Sequence, residues 1–307
     1  MVSFNAQKVK ELRDKTGCGM MECKQALVDA SGDLDEAYGL LRQKGLAKVE
    51  KKQLRSTTEG TVALHVAESG HFAAVVEVNT ETDFAAKNDE FLAFSAAVVC
   101  SVKPTMRSVQ ELENSVLQGG SGHTVKTAVG DLVGKIGENV SLRRLATFSC
   151  ADDGLIIGYS HMHGKIVTLV RFSHVATELR ESLRDLGKDI AMHVAALSPL
   201  YLDEKSVPSD VVQKEEEIVK GRLATESLPA DKIPMIAKGR MGKFYEEVCL
   251  LKQKFVKDPK STVADVVKEL DSRVVLEEFL RFQLGEGLEK KQDNFADEVA
   301  RQISASH

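Results

Sequence analysis

The chain has 307 residues, 43% of them hydrophobic, and this length predicts two or three domains. Its net charge of −5, from 41 basic and 46 acidic residues, argues against a generic nucleic-acid binder, since such proteins neutralise phosphates with a basic surface. Aromatic residues make up 5% and Trp is absent, so platforms for base stacking are not expected either.

Several features of the sequence bear on the cellular location of the protein. No apolar run approaches the roughly 20 residues of a membrane span, so no membrane association is expected. The first residues predict an amphipathic helix rather than an apolar signal, so no targeting segment is expected ahead of the fold. The five cysteines are odd in number and scattered, which is typical of reduced thiols. Together these features predict a cytoplasmic protein.

Residues 1–45 predict a three-helix amino-terminal domain. The first helix ends at "TGCG" and the second runs through "MMECKQALVD". The third follows Asp33, a candidate N-cap with Glu36 three residues on, and Gly45 is expected to end it. The polar, basic and aperiodic residues 46–58 then predict a linker.

A repeat with an offset of 94 residues predicts the architecture of the core. Gly60 and Gly154 begin matching segments (154 − 60 = 94), and Gly70 and Gly164 mark their turns (164 − 70 = 94). Each segment contains two strands rich in β-branched residues, followed by a helix, which is typical of a β-hairpin packed on a helix. We therefore expect an α+β fold with two related β-hairpin-plus-helix subdomains. They are expected at residues 59–150 and at residues 151–208 with 246–284.

An inserted helical hairpin is predicted within the second subdomain, at residues 209–245. Ser209 fits an N-cap of the first arm, "SLPAD" turns the chain, and Pro234 stands near the first position of the second arm. The arms hold few apolar residues, so we expect a projecting antiparallel coiled coil that pairs with a partner or with a second copy of itself. A carboxy-terminal helical module is expected at residues 285–307, with Asn294 as its N-cap.

No motif in the chain predicts catalysis. None of the lysines that follow a glycine is followed by Ser or Thr, which excludes a P-loop. His161 and His163 lie near a hairpin turn without a Cys or carboxylate at ligand spacing, which disfavours a metal site. Cys18 and Cys23 lack a second pair and are interpreted as reduced thiols, and the glycine-rich "GGSGHT" as a flexible loop. We expect no metal, no cofactor and no enzyme activity.

Phe84 raises two alternatives. It stands in "NTETDFAAKNDEF", and the second half of the repeat has "VATE" where this half has "ETDF", so the shared scaffold does not demand it. If one helix ran from Phe84 through Phe91, the ring would belong to the core. The "NDE" that begins at Asn88 instead predicts a new helix start, which leaves Phe84 exposed as an anchor for a partner. Asp83 is interpreted either as a local cap or as a ligand of that partner.

Several long motifs resemble the elongation factor Ts family. The segment "VKELRDKTGCGMMECKQALVDASGDLDEAYGLLRQKG" is similar to its amino-terminal signature, and "TDFAAKNDEF" is similar to its core motif. "KIGENVSLRR", "DIAMHVAALSP" and "GEGLEKKQDNFADEVA" also resemble family motifs, so the likeness extends over nearly the whole chain. Ala85 departs from the family, which often has Val there, and this changes volume only.

The resemblance implies a guanine-nucleotide exchange factor for the translation GTPase elongation factor Tu, with no chemistry of its own. It also implies that the three-helix domain is similar to ubiquitin-associated domains. The residues that it assigns to partner contacts form three groups: Met20 and Met21; Thr82, Asp83 and Phe84; and Met192, His193 and Val194. The first group is expected beside the nucleotide site, the second at the magnesium site, and the third on the partner's distal domain. From its apolar helix alone, His193 would be interpreted as a core histidine.

Other classes of function remain as alternatives. A ubiquitin-associated-type adaptor that binds protein without exchange activity would need only residues 1–45. An RNA-binding translation protein would need a steeply salt-dependent affinity for RNA, which the acidic balance disfavours. An enzyme would have to use His161 and His163.

Overall fold

A computed structural model describes residues 6–52, 56–120, 122–226, 229 and 232–288, without the side chains of residues 45–52. These residues form eleven α-helices and small antiparallel sheets, so the expected mixture of α and β structure is present. The helices are α1 (Ala6–Thr16), α2 (Met20–Asp29), α3 (Leu34–Lys52), α4 (Asp83–Ala86), α5 (Asp89–Cys100), α6 (Val109–Glu113), α7 (Val125–Ile136), α8 (Arg180–Leu197), α9 (Ser209–Thr225), α10 (Ile233–Val248) and α11 (Val263–Leu270). The strands are β1 (Glu59–Val66), β2 (Phe72–Thr80), β3 (Val140–Ser149), β4 (Leu155–His161), β5 (Ile166–Ser173), β6 (Lys254–Phe255), β7 (Asp258–Thr262) and β8 (Val275–Gln283). Among the described helices, none has both the length and the hydrophobicity that crossing a bilayer requires.

Helices α1, α2 and α3 enclose a small core of their own, built around Leu12, Cys23 and Leu27. The predicted N-cap is confirmed, because Asp33 Oδ1 accepts a hydrogen bond from the Glu36 N–H at 2.8 Å. The prediction that α3 ends at Gly45 is wrong, since the helix continues to Lys52.

The continuation of α3 has a local cause. The segment after Gly45 reads "LAKVEKK", and Leu, Ala, Lys and Glu all favour helix. One interior glycine costs only about 1 kcal/mol, which such neighbours offset. The residues up to Lys52 are therefore helical rather than part of a linker.

The first sheet has the strand order β1-β2-β3, all antiparallel, with α5 packed against it. The new helix start at Asn88 is confirmed, because its side chain accepts a hydrogen bond from the Glu90 N–H at 2.8 Å. The glycine-rich loop leads directly into α7, whose N-cap is Thr124, so a helix does follow that loop. Strand β3 was not predicted and completes the sheet.

The second sheet has the order β4-β5-β8 and packs against α8. It repeats the first sheet at the sequence offset of 94 residues. The pairing register shifts after Glu77 in the first sheet and after Arg171 in the second (171 − 77 = 94). The equivalence therefore extends to the irregularity of each sheet.

The two sheets exchange reciprocal hydrogen bonds where their turns meet. The Val62 N–H donates to the Gly164 carbonyl, and the Ile156 N–H donates to the Gly70 carbonyl, both at 2.8 Å. Donors and acceptors are each 94 residues apart (156 − 62 and 164 − 70), so a local twofold relation connects the sheets. A shared apolar cluster fills the space between them: Val62, Ala73, Val75, Phe148, Ile156, Val167, Leu169 and Phe282.

Helices α9 and α10 pack against each other as a hairpin inserted before Cys249. The Val248 carbonyl closes its base by accepting from the N–H groups of Leu200 and Tyr201. Pro234 lies in the first turn of α10, as predicted. Ser209 is not the N-cap, because α9 already begins at this residue and Pro208 precedes it. The predicted helix that starts after Asn294 lies outside the described residues.

Candidate functional site

Phe84 lies on α4, a single turn between the end of β2 and the start of α5. The next two residues, Ala85 and Ala86, are buried and hold the turn against the sheet. The Phe84 side chain is 81% exposed, so it does not belong to the core of this chain. Keeping such a ring in water forgoes about 1.5–3 kcal/mol of burial free energy, which a partner's pocket can recover.

Thr82 is the N-cap of this turn. Its Oγ1 accepts a hydrogen bond from the Ala85 N–H at 3.2 Å, while its backbone is extended, as an N-cap requires. The interpretation of Asp83 as the cap is therefore wrong, because Asp83 is the first helical residue. We call residues 82–86 the Phe84 turn.

Asp83 forms an ion pair within the Phe84 turn. Its Oδ2 lies 2.7 Å from Lys87 Nζ, four residues further on. This hydrogen bond and the charge of Lys87 lower the pKa of the Asp83 carboxyl below its ordinary value. The carboxylate at the first position of the turn also favours the helical N-terminus. Asp83 thus stays charged at neutral pH beside the exposed ring.

Glu138, in the loop between α7 and β3, accepts hydrogen bonds from the start of the Phe84 turn. Its Oε1 accepts from Thr82 Oγ1 at 2.7 Å, and its Oε2 accepts from the Thr82 N–H at 3.0 Å and from Thr80 Oγ1 at 3.3 Å. In the reverse direction, Glu81 Oε1 accepts from the Asn139 N–H at 2.7 Å. Two carboxylates therefore connect the two loops reciprocally. The sequence interpretation missed Glu138, whose single signal was its place in "KIGENVSLRR".

Helix α7 connects the Phe84 turn to the amino-terminal helices. It packs against α3, and the Lys135 side chain covers Gly17. The φ of Gly17 is +69°, a conformation that glycine adopts without strain. Lys135 Nζ also lies 3.7 Å from Glu90 Oε1 at the start of α5. The same helix therefore contacts the three-helix unit and ends at the loop that carries Glu138.

Met20 and Met21 begin α2 and are 56% and 73% exposed. Thioether side chains on a surface adapt to irregular partners because they are unbranched and polarizable. These two side chains and Phe84 thus provide apolar surface on two units that α7 bridges.

His193 lies in the interior with both ring nitrogens bonded. Nδ1 accepts from the Val256 N–H at 3.3 Å, so the proton lies on Nε2, which donates to Gln253 Oε1 at 2.9 Å. Burial lowers the pKa of His193 below its ordinary value, and the bond to Gln253 opposes this shift. The ring is a satisfied core histidine, as its apolar helix alone indicated.

The third predicted contact group is therefore mostly internal. His193 and Val194 are fully buried, and Met192 is partly buried. The expectation that His193 and Val194 touch a partner directly does not fit this placement. The partners of His193 come from about sixty residues further along the chain, so the motif gave no sign of them.

His161 and His163 lie at the turn between β4 and β5. Met162, His163 and Gly164 have φ values of +49°, +53° and +84°, so three successive residues of this loop are in the left-handed region. His161 Nδ1 is 2.9 Å from the Tyr159 hydroxyl. In the part of the chain that the structure describes, no three His, Cys, Asp or Glu side chains are grouped for a metal ion.

Comparison with known proteins gives the family. A family model described as elongation factor TS matches residues 81–286. The chain is 43% identical to elongation factor Ts of a Nitratiruptor species, over 98% of this chain and 100% of that protein. It is also 43% identical to elongation factor Ts of Methylococcus capsulatus, over 99% and 100%, and 41% identical to that of Clostridium acetobutylicum, over 99% of each chain. The family model and these full-length likenesses show that the chain belongs to the elongation factor Ts family.

Proposed function

We propose that this chain is a translation elongation factor that accelerates GDP release from elongation factor Tu, and that Phe84 is the group that enters the GTPase. The observation that carries the proposal is the 81% exposure of the Phe84 ring on an ordered turn. Thr82 caps this turn, and the Thr82 N–H donates to Glu138. Because the turn that carries the ring is already ordered, binding to a partner does not cost the entropy of ordering it. Membership of the elongation factor Ts family supports elongation factor Tu as the partner.

Exchange requires no covalent step, only negative coupling between two ligands. The factor and the nucleotide weaken each other's binding to the GTPase by the same factor. A thousandfold faster release corresponds to about 4 kcal/mol, since each tenfold is about 1.4 kcal/mol. Burial of one phenylalanine supplies about 1.5–3 kcal/mol of this. Phe84 is therefore a major contributor but needs further contacts.

The proposed point of entry is the magnesium site of the GTPase. Magnesium requires near-ideal octahedral geometry, so a small displacement of its ligands is costly. An apolar ring wedged beside those ligands would shift them, and the charged Asp83 next to it would enter with it. Thr82, as the N-cap, sets the direction of both.

Met20 and Met21 are proposed as a second contact, on the GTPase domain beside the nucleotide site. The three-helix unit that carries them is proposed to be similar to ubiquitin-associated domains. Because α7 joins this unit to the Glu138 loop, both contacts can be presented together. The two sheet-and-helix units would then form the core subdomains.

The α9–α10 hairpin is proposed as a projecting coiled-coil arm. Among its exposed apolar side chains are Ile218 and Met235, while Val219 and Leu223 are buried. These exposed side chains suit pairing with the partner or with a second copy of the chain. We propose the cytoplasm as the place of action, with neither nucleic acid nor membrane as a direct partner.

Stopped-flow release of fluorescent GDP from elongation factor Tu tests the proposal. The release rate is expected to rise with the concentration of this chain and then to reach a plateau. A protein-binding adaptor without exchange activity is the alternative, and it would form the complex while leaving the release rate unchanged. A parallel pull-down or titration of binding therefore separates the two outcomes.

A further inference from the structure

The carboxylate of Glu138 contacts the segment in front of Phe84 at three points. It accepts hydrogen bonds from Thr80 Oγ1, the Thr82 N–H and Thr82 Oγ1, at 3.3, 3.0 and 2.7 Å. Hydrogen bonds to a charged acceptor are shorter and stronger than neutral ones, and the 2.7 Å bond to the Thr82 hydroxyl is in that class. Glu138 itself is half-buried and does not touch Phe84 through any of these bonds.

The Thr82 hydroxyl connects Glu138 to the helical turn. A hydroxyl has one proton to donate and lone pairs with which to accept. Because the proton points to Glu138 Oε1, a lone pair is directed to the Ala85 N–H, and this bond is the N-cap of α4. The charged acceptor thus polarises the hydroxyl and strengthens the cap.

Helix α4 depends on such a cap more than an ordinary helix does. It has four residues, and a single helical turn in isolation is unfavourable because nucleation fixes several residues for one hydrogen bond. Its orientation therefore depends on Thr82 at one end and on buried Ala85 and Ala86 at the other. Loss of the cap would leave the exposed ring without a fixed direction while the core below stays packed.

We propose that Glu138 is the positioning residue of the exchange site: through the Thr82 hydroxyl it fixes the direction in which Phe84 is presented to the GTPase. The proposal rests on the proposed function of Phe84. It deepens that function because the residue that orients the ring, Glu138, lies 56 positions after the N-cap Thr82 in the chain (138 − 82 = 56). It also gives α7, which contacts the amino-terminal helices, a physical connection to the ring.

The test measures two quantities in stopped flow with elongation factor Tu and fluorescent GDP: the release rate at saturating factor and the concentration for half-saturation. Glu138→Ala is expected to lower the saturating rate about tenfold, the scale of one lost charge-assisted hydrogen bond, and to change half-saturation less than about twofold. Glu138→Gln keeps one acceptor oxygen but loses the charge and the second acceptor, so it is expected to recover only part of the rate. Glu269→Gln, an exposed glutamate on α11, is the matched control and should behave as wild type.

A double-mutant cycle distinguishes an effect of Glu138 on the orientation of Phe84 from an effect on the stability of the whole protein. If Glu138 acts through Phe84, adding Glu138→Ala to Phe84→Ala causes no further loss of rate. Thr82→Ala should reproduce the defect and Thr82→Ser should not, which keeps the proposal testable if Glu138→Ala fails to fold. Exchange of the Ala85 amide hydrogen, followed by NMR on the free protein, should be about tenfold faster in Glu138→Ala.

Each outcome has one meaning. A wild-type saturating rate for Glu138→Ala and Thr82→Ala, with Phe84→Ala defective, would overturn the positioning role and leave the proposed function standing. Losses that add in the double mutant would also overturn it. A wild-type rate for Phe84→Ala would instead remove the proposed function of Phe84, and the role of Glu138 with it.

Discussion

Glu77 and Arg171 occupy equivalent positions in the two sheets with opposite charge. Glu77 lies opposite Arg144 across β2–β3, and Arg171 lies opposite Glu278 across β5–β8, each at the register shift of its sheet. The pair Glu77–Arg144 is closed at 2.6 Å and the pair Arg171–Glu278 at 3.0 Å. The surroundings differ, because Glu77 is fully buried whereas the Glu278 side chain is 48% exposed.

The buried Glu77 joins distant parts of the chain. The Glu77 carboxylate also accepts from Arg143 and from the Gly285 N–H at 2.9 Å, in the turn that follows β8. Burial raises the pKa of Glu77, but the Gly285 N–H and the two guanidiniums outweigh burial and keep it below its ordinary value. Glu77 therefore fastens the end of the second sheet to the first as a carboxylate.

Removal of this carboxylate should be costly. Glu77→Ala leaves two arginines without their buried partner, so we expect the free energy of unfolding to fall by about 3–5 kcal/mol. Glu278→Ala removes the equivalent but exposed partner and should cost no more than about 1 kcal/mol. Urea denaturation of both variants measures the difference. Equal losses in the two variants would show that the buried network is not special.

The buried His193 predicts how stability depends on pH. Its pKa is lowered in the folded protein, while in the unfolded chain it titrates near pH 6.5. Between these two values the unfolded chain binds more protons, so the contribution of His193 to stability is lost as pH falls below about 6.5. The variant His193→Gln has no titrating ring at this position.

The comparison of wild type with His193→Gln isolates this effect from other titrating groups. The stability advantage of wild type over the variant is expected to be larger at about pH 7.5 than at about pH 5.5. Chemical denaturation at the two pH values measures it. An advantage that is the same at both would mean that the ring titrates alike in the folded and unfolded states.

Close packing between α8 and the second sheet gives a prediction on volume. A Cβ at Gly187 would collide with Ile157 and come within 3.1 Å of Phe172, so Gly187→Ala should cost about 1–3 kcal/mol. Gly221, in α9, has open space around it, and Gly221→Ala should add about 0.5–1 kcal/mol because alanine favours helix. Denaturation midpoints compare the two variants, and a stabilised Gly187→Ala would contradict the close packing of α8 on the second sheet.

Local features of the fold could be predicted from the sequence. The hairpins follow from β-branched strands on either side of Gly70 and Gly164, and the caps at Asp33 and Asn88 follow from their spacing to the first helical turn. Each cap bonds a residue two or three positions away, and each hairpin pairs two strands joined by one short turn, so the local pattern contains these interactions.

Features that depend on distant partners could not be predicted. Strand β3 has Arg143 and Arg144 in its middle, a polar pair that is typical of a surface until the buried Glu77 is placed opposite it. The resemblance assigns His193 to a partner's surface, whereas the structure buries it against Gln253 and Val256, which lie about sixty residues further along the chain. Tertiary contacts decided the outcome in both cases, and no local periodicity encodes them.

The Phe84 series is the decisive measurement for the function. Because the ring is exposed, Phe84→Ala should change the free energy of unfolding by less than about 0.5 kcal/mol. The same variant should release GDP from elongation factor Tu about ten- to a hundredfold more slowly at saturation than wild type, in proportion to the burial free energy lost. Phe84→Leu should lie between the two. Met162→Ala, which removes another exposed apolar side chain from a different turn, should match wild type. A folded Phe84→Ala that releases GDP as fast as wild type would contradict the proposed role of Phe84.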